Sequence, residues 1–166
     1  MATNIMELVD ELRHLAAVRS DSRWSRPVTF APPASEDEIT ELEGVVVGGL
    51  PDDYKQYLRA SRRMELPEIS VFSPLQVARM YPALEIPQRL VTGLPDRPVE
   101  DAVIPVGGNG GGDLFLMGTR GPSFGAVWFW EHESEEPVHG SSSVGFARRA
   151  GSFSEFLAQL RDEFSK

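Results

Sequence analysis

Residues Val106–Glu131 read VGGNGGGDLFLMGTRGPSFGAVWFWE. Five glycines occupy six positions, interrupted only by Asn109. An apolar run, Leu114 to Met117, comes directly after them. A Gly/Pro turn then leads to an aromatic run, Val127 to Trp130. Each run is apolar at consecutive positions, so both faces of each strand are apolar. Strands of that kind are central ones covered on both sides, or they carry a binding surface on one side. The glycines are expected to form a tight bend that lets these two strands pass close to other backbone.

A Gly-rich loop raises the question of phosphate. A Walker loop needs Lys and Ser/Thr after its second glycine, and Asp113 and Leu114 stand there instead. No start between Gly107 and Gly112 gives the i, i+2, i+5 glycines of a dinucleotide loop. The loop leads into a strand rather than a helix, and an acid at the loop exit repels phosphate. The stretch Gly121-Pro122-Ser123-Phe124-Gly125 has the G-x-S-x-G spacing of a hydrolase. That motif works only on a strand–turn–helix elbow, and here it falls between two strands. A hairpin turn is the better reading, with a small hydrolase using Ser123 as the less favoured one. His132-Glu133-Ser134-Glu135-Glu136 begins like the zincin HExxH but ends in Glu and lies outside any expected helix. No catalytic residue, metal site or cofactor site is expected.

Further out, the chain alternates helices with short strands. Ile5, Leu8, Leu12, Leu15 and Ala16 fall near a 3.6-residue period, which predicts a helix over Ile5 to Val18. Arg19, Arg23 and Arg26 surround Trp24 in a stretch broken by Pro27, Pro32 and Pro33. Ser35 with Glu38 forms a capping box for a second helix that ends between Gly44 and Gly49. Leu50-Pro51-Asp52-Asp53 opens a third helix, with Tyr54, Tyr57 and Leu58 on its inner stripe. Residues 61–68 carry no clear signal. Ile69 to Phe72 reads as a strand, Ser73-Pro74 as the start of a helix ending before Pro82, and Ala102 to Val106 as another strand. Residues 83–100 are proline-rich and read as an irregular connection. Val144 to Ala147 is a further short strand. Ser152 caps a final helix whose stripe is Phe153, Phe156, Leu157, Leu160 and Phe164.

Composition narrows the function. At 166 residues the chain suits one domain, and 41% hydrophobic with 25% charged residues suits a folded globular protein. No cysteine is present, which excludes disulfides and thiolate metal sites and fits a reducing compartment. The start, MATNIMELVDELRHL, is charged and periodic, unlike a signal peptide, and no apolar run is long enough to span a membrane. The net charge of −9, from 16 basic and 25 acidic residues, disfavours direct nucleic-acid binding and favours a basic partner. Glu131, Glu133, Glu135 and Glu136 form an acidic run at a strand end. With Asp113, Trp128 and Trp130 they are the candidate partner-binding residues.

Three blocks resemble the SUKH superfamily of fungal cell-wall regulators and bacterial immunity proteins. They are PPASEDEITELE over Pro32–Glu43, LPDDYKQYL over Leu50–Leu58, and the span from GGGDLFLM through GAVWFWEHE to SFSEFL over Gly110–Leu157. Where the family commonly has Asn-Gly-Gly after its Leu-Pro helix, this chain has Ala60-Ser61-Arg62-Arg63. The resemblance implies a single α+β domain with a mostly antiparallel, curved sheet flanked by helices. It divides the chain into an N-terminal helix and linker at 1–27 and the SUKH-like domain at 28–166. It implies no catalytic residues. It implies an immunity protein that neutralises a cognate toxin by direct binding; with it, the expected reading is a cytoplasmic protein that occludes a toxin domain, and the acidic balance makes a basic nuclease one such toxin. The alternative is a regulatory or scaffold module without a toxin.

Overall fold

The computed structural model describes residues 4–18, 28–83, 103–133 and 146–166. Five helices and seven strands are built from them. The helices are α1 Ile5–Val18, α2 Glu36–Val45, α3 Asp52–Ala60, α4 Pro74–Met80 and α5 Phe153–Phe164. The strands are β1 Thr29–Phe30, β2 Met64–Glu65, β3 Ile69–Val71, β4 Val103–Asn109, β5 Leu114–Gly118, β6 Val127–Trp130 and β7 Phe146–Ala150. The strands form one curved antiparallel sheet in which spatial order follows chain order. This is the α+β architecture that the resemblance implies.

Local chemistry sets the helix boundaries. The Glu38 N–H donates to Ser35 Oγ at 3.2 Å and the Ser35 N–H to Glu38 Oε2 at 2.8 Å, so the α2 capping box is complete. Ser73 and Gln76 repeat the device at the start of α4, with Pro74 in the first turn. Asp53 ties two helix starts together: its carboxylate accepts from the Tyr54 N–H and the Ser154 N–H, each at 2.8 Å.

Helices cover one face of the sheet. Ile104, Val106, Phe115, Met117, Val127 and Ala150 point into a core completed by α1, α3 and α5. There Phe115 meets Phe156 at a ring separation of 4.9 Å, and Phe153 meets Tyr54 edge-on at 4.9 Å. Ile5, Leu8, Val9 and Leu12 of α1 belong to this same core, with α1 lying on α3 and α5. The N-terminal helix therefore packs as a layer of this core. The Tyr54 hydroxyl is buried with no hydrogen-bond partner among the described residues, and burial pushes its phenol pKa up.

The other face carries a second cluster that, among the described residues, consists of strand residues: Val103, Leu116, Trp128, Trp130 and Phe146, with Leu114 against them. Trp128 stacks on Phe146 at 5.3 Å.

The strands differ from expectation in three places. The strand expected over Ala102 to Val106 runs on to Asn109, so Gly107 and Gly108 are inside it rather than in the bend. The reason is close approach: a Cβ at Gly107 would lie 2.6 Å from the Ser70 carbonyl oxygen, and one at Gly108 would lie 2.7 Å from that of Asp113. β4 also bulges at Val106, between Pro105 paired with Leu116 and Gly107 paired with Phe115, next to a proline that cannot donate to the ladder. Second, of the strand expected over Val144 to Ala147, Val144 and Gly145 lie outside the described residues, and the strand runs on from Phe146 to Ala150. Third, the two-residue strands β1 and β2 fall where the sequence reads as punctuation or carries no signal. The Arg–Trp cluster of Arg19, Arg23, Trp24 and Arg26 and the proline-rich connection lie outside the described residues, except for its first residue, Ala83, which closes a 3-10 turn at Tyr81–Ala83.

Candidate functional site

The turn between β4 and β5 is organised by side chains as much as by glycine. Asn109 Oδ1 accepts from the Gly111 N–H at 2.9 Å and the Asp113 N–H at 3.0 Å. Asn109 Nδ2 donates to Asp113 Oδ2 at 2.8 Å. The other Asp113 oxygen receives the His132 backbone N–H at 3.1 Å and lies 2.9 Å from His132 Nδ1. Asp113 thereby clasps the end of β6 to the β4–β5 turn. Gly112 allows the contact: it has φ +96°, and a Cβ there would come within 2.9 Å of the His132 ring. Burial opposes ionisation of Asp113, but the bonds from Asn109 and His132 outweigh it and hold the carboxyl below the usual carboxylate range.

The residues expected to meet a partner divide into groups. Glu131 is half-buried, and Glu133 is exposed with its carboxylate 3.8 Å from His132 Nε2. Both stand beside the Asp113 clasp, so three of the expected acids share one end of the sheet. Glu135 and Glu136 lie outside the described residues, as does His139. Trp128 and Trp130 are corrected: they are 1% and 9% exposed, packed in the second cluster rather than presented at the surface. The two-residue strand period places both on the side away from Phe129, where Leu116 and Phe146 meet them.

Ser123 is 3% exposed, in the 3-10 turn Gly121–Ser123 between β5 and β6. That turn and His132 lie at opposite ends of the β5–β6 hairpin, roughly 13 Å of strand apart. The elbow that a nucleophilic serine requires is not formed there. Among the described residues, no group of three or more His, Asp or Glu side chains is placed to hold a metal ion. No described helix is long and apolar enough to cross a membrane.

A concavity of about 440 Å³, with no signal in the sequence, opens on the helix side of this same sheet end. Its floor is Ile69, Phe115, Phe129 and Ala147, with Phe115 and Phe129 rings 5.0 Å apart. Glu68, Asn109, Arg148, Arg149 and Glu163 form its rim. β7 bulges at Arg149, since Val127 pairs with Ala150 and Trp128 with Arg148. The bulge turns Arg149 towards α5, where it pairs with Glu163. Phe129 and Phe115 were legible as strand residues, but their convergence with Glu163 needs the whole sheet. The arrangement offers an apolar floor and a mixed-charge rim. It suits binding of a protein surface through an apolar anchor with charged neighbours.

No curated protein matches the chain. The profile of the SMI1 / KNR4 family (SUKH-1) matches residues 33–159. That span takes in α2 to most of α5, and with them the Asp113 clasp and every groove residue except Glu163. The chain belongs to this family.

Proposed function

We propose that this SUKH-1 family member is a bacterial immunity protein that binds a cognate toxin domain and neutralises it by direct occlusion. Family membership is the observation that carries this reading. The groove at the Asp113–His132 end supports it, because it is a concave surface with an apolar floor and with Glu68 and Glu163 on its rim. The net charge of −9 favours a basic toxin, a nuclease being one class. The reading assigns no reaction to the chain and places it in the cytoplasm, where such a toxin would act. Glu131 and Glu133, beside the Asp113–His132 contact, are the acids proposed to steer the partner, together with Glu135 and Glu136.

Co-expression with the toxin domain encoded beside the gene tests the reading. The expected outcome is rescued growth and a stable complex of the two purified proteins. Absence of both rescue and complex overturns it. Reversing charge at Glu131 and Glu133 together is expected to slow association and flatten its salt dependence. Unchanged kinetics would remove these acids from the interface.

A further inference from the structure

We infer that the exposed side of α2, with the loop tips at its C-terminal end, is a second docking surface that receives a basic amphipathic helix of the protein partner. This rests on the reading above that the chain binds a protein, and goes further by naming the element received. α2 buries Ile39 and Leu42. Its opposite side presents Asp37, Glu41, Gly44 and Val45, which fall within an arc of about 100° on a helix. The acids on the flanks are already paired: Glu36 with Arg59, Glu38 with Arg62 and Glu43 with Lys55. Asp37 and Glu41 are exposed and have no ion-pair partner among the described residues. The helix thus offers two free carboxylates one turn apart and no basic residue on the same side.

Apolar side chains continue the ridge. Val45, Val47 and Phe124 are 52%, 40% and 48% exposed. The loop carrying Val47 is stitched to the strand end that leads into the Phe124 turn. Thr119 Oγ1 donates to the Val47 carbonyl at 2.6 Å, and the Gly49 N–H donates to the Thr119 carbonyl at 2.9 Å. Both tips are therefore held before any partner arrives, and docking costs little ordering. Single exposed apolar residues are ordinary, but here Val45 and Val47 follow the free acids along the chain and their loop is bonded to the strand end that leads into the Phe124 turn.

Gly44 is the observation that points to a close partner. It lies inside α2, its φ is not positive, and a Cβ there would meet nothing within 4 Å. Neither backbone strain nor packing requires glycine, and glycine disfavours a helix. Its effect is a notch on the exposed side, between Glu41 and Val45, where a second helix can come near. The complementary helix carries Lys or Arg one turn apart, opposite Asp37 and Glu41, and an apolar side chain opposite Val45, Val47 and Phe124.

Titration of the toxin domain encoded beside the gene against surface variants tests the inference. Gly44→Lys restores a helix-favouring residue, so it is expected to raise the melting temperature by about 2 °C. It is also expected to weaken binding about tenfold or more, by filling the notch and repelling the basic helix. Glu41→Lys and Phe124→Asp are expected to weaken binding to a similar extent. Toxin binding to the wild type and to all three variants within about twofold would overturn this inference and leave the immunity reading standing. Failure of the wild type to bind would overturn both. Gly44→Lys and Glu41→Lys alter only exposed helix positions, so the test survives misfolding of Phe124→Asp.

Discussion

Asp113 shows how one side chain serves turn, strand and surface together. Its carboxylate joins Asn109 on its own hairpin to His132 beyond β6. The sequence marks it only as an acid following glycines, and assigning it to a partner is the natural reading of an acid at a loop exit. Its hydrogen bonds make it first a structural residue, with 21% of its side chain left exposed. Its folded pKa is lowered, so its stabilisation is present above the unfolded value of about 3.9 and is lost as pH falls through the folded value. Asp113→Ala is expected to lower stability by about 1–2 kcal/mol at neutral pH. The gap between variant and wild type is expected to narrow below about pH 4. Denaturant unfolding across that range measures it, and a gap independent of pH would show that the charge on Asp113 contributes nothing.

At the scale of elements, helices were far more legible than strands. A capping box and a 3.6-residue stripe are local signals, and Ser35 with Glu38 and the stripe from Phe153 to Phe164 gave α2 and α5 with little error. The two-residue strands β1 and β2 have no such signal, because pairing across the chain defines them: Phe30 with Met64, and Met64 with Val71. β4 was cut short for a related reason. Glycine reads as a break, yet Gly107 and Gly108 lie in the strand because neighbouring backbone leaves no room for a Cβ. Gly107→Ala is therefore expected to cost about 2 kcal/mol or more, through forced movement of β3 against β4. Thermal unfolding measures this. A melting temperature equal to that of the wild type would show that the strands accommodate the methyl group.

For the molecule as a whole, the sheet is a shared wall between two apolar layers. One is closed by α1, α3 and α5, and the other is the Trp128, Trp130 and Phe146 cluster. Phe156 is central to the first layer, since it touches both Phe115 of the sheet and Phe153 of its own helix. Phe156→Ala is expected to cost about 3–5 kcal/mol by leaving a cavity where sheet and helix meet. Since a domain of this size is stable by only about 5–15 kcal/mol, much of its margin would go. Denaturant midpoints read this directly, and a loss under about 1 kcal/mol would show that the layer repacks.

The sequence by itself determined the helix starts, the apolar character of both faces of β5 and β6, and the family resemblance, which in turn implied the fold class. Each of these is carried by residues close together in the chain, through a cap, a period or a motif. Tertiary structure alone decided which tryptophan face is buried, how far β4 extends, and that Phe129, Arg149 and Glu163 surround one groove. It also decided that α1 shares the core with α3 and α5, and that the exposed side of α2 continues into the Phe124 turn. Those outcomes depend on register and on contacts between residues far apart in sequence. A one-residue shift in register would move every side chain of a strand to the other face without changing a letter of its local pattern.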